Sequence, residues 1–134
     1  MRSMAAAAFL LLLLPGPAAA IESDFQTPET ETILALQAAV RTGDKAWFAA
    51  RLHFPVRYYG RTLTLIRSEE WFLRNYAKVI GPGLKASILA QDPGDFLKNY
   101  QGLMVGEGSR NIWLRDFGEG NTAKYEIITI NNNE

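Results

Sequence analysis

The sequence predicts an α+β fold, with amino-terminal helices packed on an antiparallel sheet. Three observations carry this. Apolar side chains recur at helical spacing in Ile33–Val40 and again in Phe72–Ile80. Phe54–Ile66 alternates at strand spacing about Gly60. Asn99–Asn131 holds the apolar segments Leu103–Val105, Ile112–Arg115 and Tyr125–Ile130, parted by Gly106–Asn111 and Asp116–Asn121. Those breaks are rich in glycine and asparagine, which tolerate the positive φ of tight turns. The stretch therefore reads as an antiparallel meander, the floor on which the upstream helices lie.

The first residues are set apart from this fold. Arg2 precedes the unbroken apolar run Ala5–Leu14, Pro15-Gly16-Pro17 interrupts it, and Ala18-Ala19-Ala20 offers small residues to a signal peptidase. This is the arrangement of a secretory signal peptide over residues 1–20, cleaved near Ala20. Ten apolar residues are too few for a membrane span, which needs about 20. The expectation is a periplasmic or secreted protein with one domain over residues 21–134, without a membrane span.

Thr27-Pro28-Glu29 opens the first helix, with a hydroxyl cap, proline where its missing N–H is harmless, and acid against the dipole. Ile33, Leu36 and Val40 form its apolar side, and Gly43 ends it in a position that favours a left-handed residue. Asp44 caps a short second helix whose apolar side is Trp47, Phe48 and Leu52, and which stops before Pro55. In the hairpin that follows, Phe54, Val56 and Tyr58 share one face; Pro55, Arg57 and Tyr59 share the other. Ser68 caps the best-defined helix, where Phe72, Leu73, Tyr76, Val79 and Ile80 make a stripe about 120° wide. Gly81-Pro82-Gly83 terminates it, and Leu84 and Ile88 mark further helical turns before Asp92-Pro93-Gly94-Asp95. Phe96–Gln101 leads into the meander.

Composition narrows the function. Without the leader the net charge is −1, and no basic run points to nucleic acid or an anionic membrane. There is no cysteine and one histidine, so thiolate or multi-histidine metal sites are excluded, and no acidic spacing matches a calcium loop. No cofactor and no metal are expected. Gly106-Glu107-Gly108 is not a phosphate loop, because strand-forming residues follow it rather than a helix.

In order along the chain, Gly43-Asp44, Phe54-Pro55-Val56-Arg57, Ser68-Glu69-Glu70-Trp71-Phe72, Gln101-Gly102, Gly106-Glu107-Gly108, Ile112-Trp113 and Ile127–Asn131 resemble the nuclear transport factor 2-like superfamily. The resemblance covers nearly all of the chain beyond the leader and is nearest to small exported bacterial members. It implies a cystatin-like α+β cone, with helices packed on a strongly curved sheet. It also implies either a non-catalytic binding module or an isomerase- or dehydratase-like enzyme with a carboxylate in the cone. Homodimers through an open sheet face are common in the superfamily.

The leading expectation is an exported non-catalytic binding module for a small apolar ligand or a protein partner, with a homodimer as one form of the latter. The enzyme is the alternative. Trp71 points about 140° from the centre of its helix's stripe, among Arg74, Asn75 and Lys78, which marks it for a ligand or partner surface. Arg57, Tyr59 and Trp113 are the contact candidates should the sheet face be used. Tyr76, with Tyr58, Tyr59 and Tyr100, is a candidate for lining a cavity. His53 reads as a helix-end or packing histidine. Glu126 and Asp95 are the carboxylates to consider as a general base, and an exposed or edge position that Glu126 shares with Lys124 is the simpler reading. No residue is assigned a catalytic role.

Overall fold

Thr27 caps the first helix as the sequence predicts. Its Oγ1 accepts the Thr30 N–H, and Pro28 opens helix α1 (Pro28–Thr42). The computed structural model describes residues 26–133, so the expected signal peptide over residues 1–20 and its expected cleavage near Ala20 lie outside the described residues. Gly43, at φ 64°, closes α1 in the left-handed region, which only glycine enters without a Cβ penalty. Oδ1 of Asp44 then accepts the Trp47 N–H and caps helix α2 (Lys45–Ala49).

Helix α2 is shorter than expected. Leu52, placed on its apolar side by spacing, instead opens strand β1 (Leu52–Tyr59), and His53 goes with it. The cause is long-range. The Ile127 N–H donates to the Arg51 carbonyl at 2.7 Å, and Leu52 sits in register with Ile127. A sheet ladder claims these residues before the helix can continue. Within β1, Val56 and Tyr58 are buried, but Phe54, expected beside them, is exposed. The pairing with the neighbouring strand shifts register between Leu52 and Arg57, which breaks the simple alternation.

Strand β2 (Leu63–Ile66) completes the hairpin with β1. Ser68 caps α3 (Glu69–Arg74), and Asn75 divides it from α4 (Tyr76–Val79), where one continuous helix was expected. Asn75 donates from Nδ2 to the Trp71 carbonyl at 2.8 Å, the kind of side-chain bond with which asparagine competes against helix backbone. Phe72, Tyr76, Val79 and Ile80 are buried as the stripe requires, whereas Leu73 faces solvent. Helix α5 (Pro82–Ala90) follows, with Leu84 and Ile88 buried.

A short strand β3 (Leu97–Asn99) precedes the meander of β4 (Gly102–Glu107), β5 (Arg110–Asp116) and β6 (Tyr125–Asn132). The six strands form one sheet in the order β2-β1-β6-β5-β4-β3. The expectation of a wholly antiparallel sheet is corrected by β1 and β6, which run parallel. The sheet is mixed because the hairpin and the meander are separated by α3–α5, and parallel neighbours need such a long connection.

Helix α5 packs on β4, β5 and β6, and α1 packs on α5. The core between them includes Ile33, Leu36, Phe48, Phe72, Leu84, Ile88, Leu103, Ile112, Leu114 and Ile127, all fully buried. Tyr76 joins it, 5.7 Å from Phe48 and 5.8 Å from Phe72 between ring centroids. The opposite sheet face differs. One row in register crosses all six strands there as Leu65, Arg57, Thr129, Trp113, Met104 and Leu97. None of these is buried.

Candidate functional site

The site is built on this outer face, at an irregularity in β6. Trp113 pairs with Thr129, but its neighbour Leu114 pairs with Ile127, so Ile128 is an extra residue in β6. Such a bulge re-aims side chains. Ile128 and Thr129 are both half-buried, between buried Ile127 and Ile130.

Two concavities meet here. One, of about 300 Å³, is lined by Arg57, Tyr59, Gln101, Trp113, Arg115, Ile128, Thr129 and Asn131. The other, of about 340 Å³, is lined by His53, Phe54, Pro55, Arg57, Arg115, Phe117, Ile128 and Thr129. Arg57, Arg115, Ile128 and Thr129 belong to both, so the two form one depression astride β6. Neither lining includes a carboxylate. Among the described residues the Arg57 side chain forms no hydrogen bond or ion pair, and the Arg115 side chain reaches only the Gln101 carbonyl, at 3.4 Å from Nη2.

At one end, Nδ1 of His53 lies 2.9 Å from Oε1 of Glu126, whose other oxygen is 3.4 Å from Nζ of Lys124. The His53 ring stacks on Phe117, with centroids 3.8 Å apart and planes 5° from parallel. The hydrogen bond from His53, followed by Lys124, holds the Glu126 carboxyl below the usual range against the opposing effect of partial burial. A general base needs the reverse. Glu126 pairs with Lys124 and is half-buried on a central strand, rather than exposed or at an edge as expected. His53 serves strand β1 rather than a helix end. Asp95 is exposed.

Of the residues singled out from sequence, Arg57, Tyr59 and Trp113 come together in the depression. Trp71 and Tyr76 do not. Trp71 is half-buried and packs against the core, so it is not the outward-facing indole that a continuous helix implies. Tyr76 is buried among Phe48 and Phe72 and lines neither concavity. Burial, and secondarily Asp44, push its hydroxyl pKa up. Arg115, Phe117, Ile128 and Thr129 were not anticipated. Alternation from Trp113 signals Arg115, two residues on; no local signal marks the bulge.

A larger concavity of about 450 Å³ lies where α1 and α2 meet the end of β6, lined by residues that include Glu31, Trp47, Arg51, Lys124 and Tyr125. Its cations are already engaged. The Arg51 guanidinium lies 4.2 Å over the Trp47 ring and donates to the Trp47 carbonyl, and Lys124 pairs with Glu126. Size alone therefore does not make it the candidate.

Among the described residues, no group of three or more metal-ligating side chains forms, and no helix is long and apolar enough to cross a membrane. Compared with protein-family models, curated proteins and solved structures, the chain finds no match.

Proposed function

We propose that the chain is an exported, non-catalytic binding module, freed near Ala20 into the periplasm or the medium, whose working surface is the outer sheet face. The observation that carries this is the meeting of Arg57, Tyr59 and Trp113 in one depression whose lining includes no helical residue. Aromatic rings with a polar edge, partly exposed beside arginine, are what binding surfaces select. The order of elements, with β1 beside β6 and a helix packed on β4, β5 and β6, supports the resemblance to nuclear transport factor 2-like domains. The occupant is a small, partly apolar molecule, because the depression is small and concave; a flat partner surface, including a second copy, would leave it unfilled.

The enzyme alternative has less support. Phe48, Phe72 and Tyr76 occupy the space between helices and sheet, and Glu126 is held ionised outside it. The test is uptake of a neutral, environment-sensitive dye such as Nile red. Trp113→Gln combined with Tyr59→Ser should abolish the fluorescence gain and leave the melting midpoint unchanged. Undiminished uptake by that double variant refutes the assignment of the face.

A further inference from the structure

We infer that the depression is a site for a small organic carboxylate with a flat apolar body, its anionic end held by Arg57 and Arg115. The inference rests on the outer face being the binding surface. Arg57 lies in register with Thr129 on one side of β6, and Arg115 comes from β5 on the other side. Both arginines line both concavities and, among the described residues, lack a carboxylate partner, while the carboxylate of Glu126 is taken by His53 and Lys124. The planar guanidinium fork matches a carboxylate in two parallel hydrogen bonds. Thr129, in register between Arg57 and Trp113, lines both concavities and adds a hydroxyl that no described residue engages. Ile128 and the Trp113 ring provide the apolar bed. The volume, about 300 Å³ on one side and about 340 Å³ on the other, is at the low end for ligand sites and suits a body of one or two rings.

The experiment compares 2-naphthoate with its neutral isostere 2-naphthalenemethanol by calorimetry, on protein expressed from the whole coding sequence. The carboxylate should bind at least about tenfold tighter, the factor expected of one charge-assisted hydrogen bond. Arg57→Gln and Arg115→Gln should each reduce that preference, and added salt should reduce it in the unmodified chain. Both arginines are exposed, so both variants should melt as the parent does. Equal affinity for the two compounds, or a preference surviving in both variants, overturns the inference. If the alcohol binds as well and Trp113→Gln removes both compounds, only the carboxylate specificity fails. If neither compound binds, the binding surface itself is wrong.

Discussion

His53 and Glu126 are joined at 2.9 Å between Nδ1 and Oε1 although 73 positions separate them in the chain. The contact ties β1 to β6 where their parallel register is irregular. His53→Ala removes this bond and the stacked face of Phe117 and leaves Glu126 only Lys124. Because His53 is about half exposed, the loss should be modest, about 1 kcal/mol in urea melts. Glu126→Gln should remove part of the same energy, so the double variant should lose less than the two singles together. Strict additivity would show that the pair contributes nothing to the joint.

Phe72 and Tyr76 test the core. Phe72 is fully buried, edge-on to Tyr76 at 5.8 Å, and Phe72→Ala should cost about 3–5 kcal/mol. The Tyr76 hydroxyl is buried without a hydrogen-bond partner among the described residues. Tyr76→Phe removes an unsatisfied group and should therefore leave stability unchanged or raise it by about 1 kcal/mol. A clear loss on denaturant melting would mean that the hydroxyl has a partner, such as an ordered water.

Acid should loosen α1 from the sheet. The Tyr125 hydroxyl donates to Oε2 of Glu29 at 2.6 Å, and Nζ of Lys98 lies 3.2 Å from the same oxygen. Burial opposes ionisation of Glu29, but the bonds from Tyr125 and Lys98 outweigh it and hold the carboxyl below its ordinary 4.5. A depressed folded value means that this stabilisation is complete above about 4.5 and is lost as the pH falls through the folded value. Burial and the Glu29 carboxylate push Tyr125 above its ordinary 10.0. Its contribution is present below that value and is lost as the pH rises through the folded one. Glu29→Gln should flatten the acid limb of a urea-midpoint profile. An unaltered acid limb would place the titrating group elsewhere.

The local signals were the legible ones. Thr27, Asp44 and Ser68 cap the helices that their side chains predict, because a cap acts within three residues of itself. Strands β4, β5 and β6 stand where glycine-rich turns separate apolar runs. What escaped depends on contacts distant in sequence. The capture of Leu52 by Ile127, the parallel seating of β1 on β6 and the extra residue at Ile128 are set by pairing across more than half the chain or by a register slip without a composition cue. Three of the five expected binding residues met in the depression because period-two alternation fixes which face a strand residue takes. Tyr76 takes the buried place that its stripe position predicts and so lies away from the depression, while Trp71 is packed against the core although its helical phase points away from the stripe.

Two glycines should respond very differently to alanine. Gly43 has φ 64° and open space around a would-be Cβ, so Gly43→Ala carries only the left-handed penalty, about 1–2 kcal/mol. Gly102 has φ 135°, and a Cβ there would run into the Leu114 carbonyl of the adjoining strand. Gly102→Ala must strain the backbone and also push β4 from β5, so its loss should be clearly the larger. Thermal melts of the two variants decide the order. Equal losses would mean that the strands part without resistance.

Trp71 and Trp113 should separate stability from binding. Trp71 packs against the core from α3, so Trp71→Gln gives up buried apolar area and should lower stability by about 1–3 kcal/mol. Trp113 lies on the outer face, with Met104 and Thr129 as its cross-strand neighbours, in a depression lined by no helical residue. Trp113→Gln should cost less than about 1 kcal/mol, since only cross-strand contact is lost, while removing much of the apolar bed of the depression. Paired measurements of melting midpoint and dye uptake distinguish the two roles. The expected pattern is a lowered midpoint with retained uptake for Trp71→Gln, and a retained midpoint with lost uptake for Trp113→Gln. The opposite pattern would return the binding surface to the helical side of the molecule, where the phase of Trp71 first placed it.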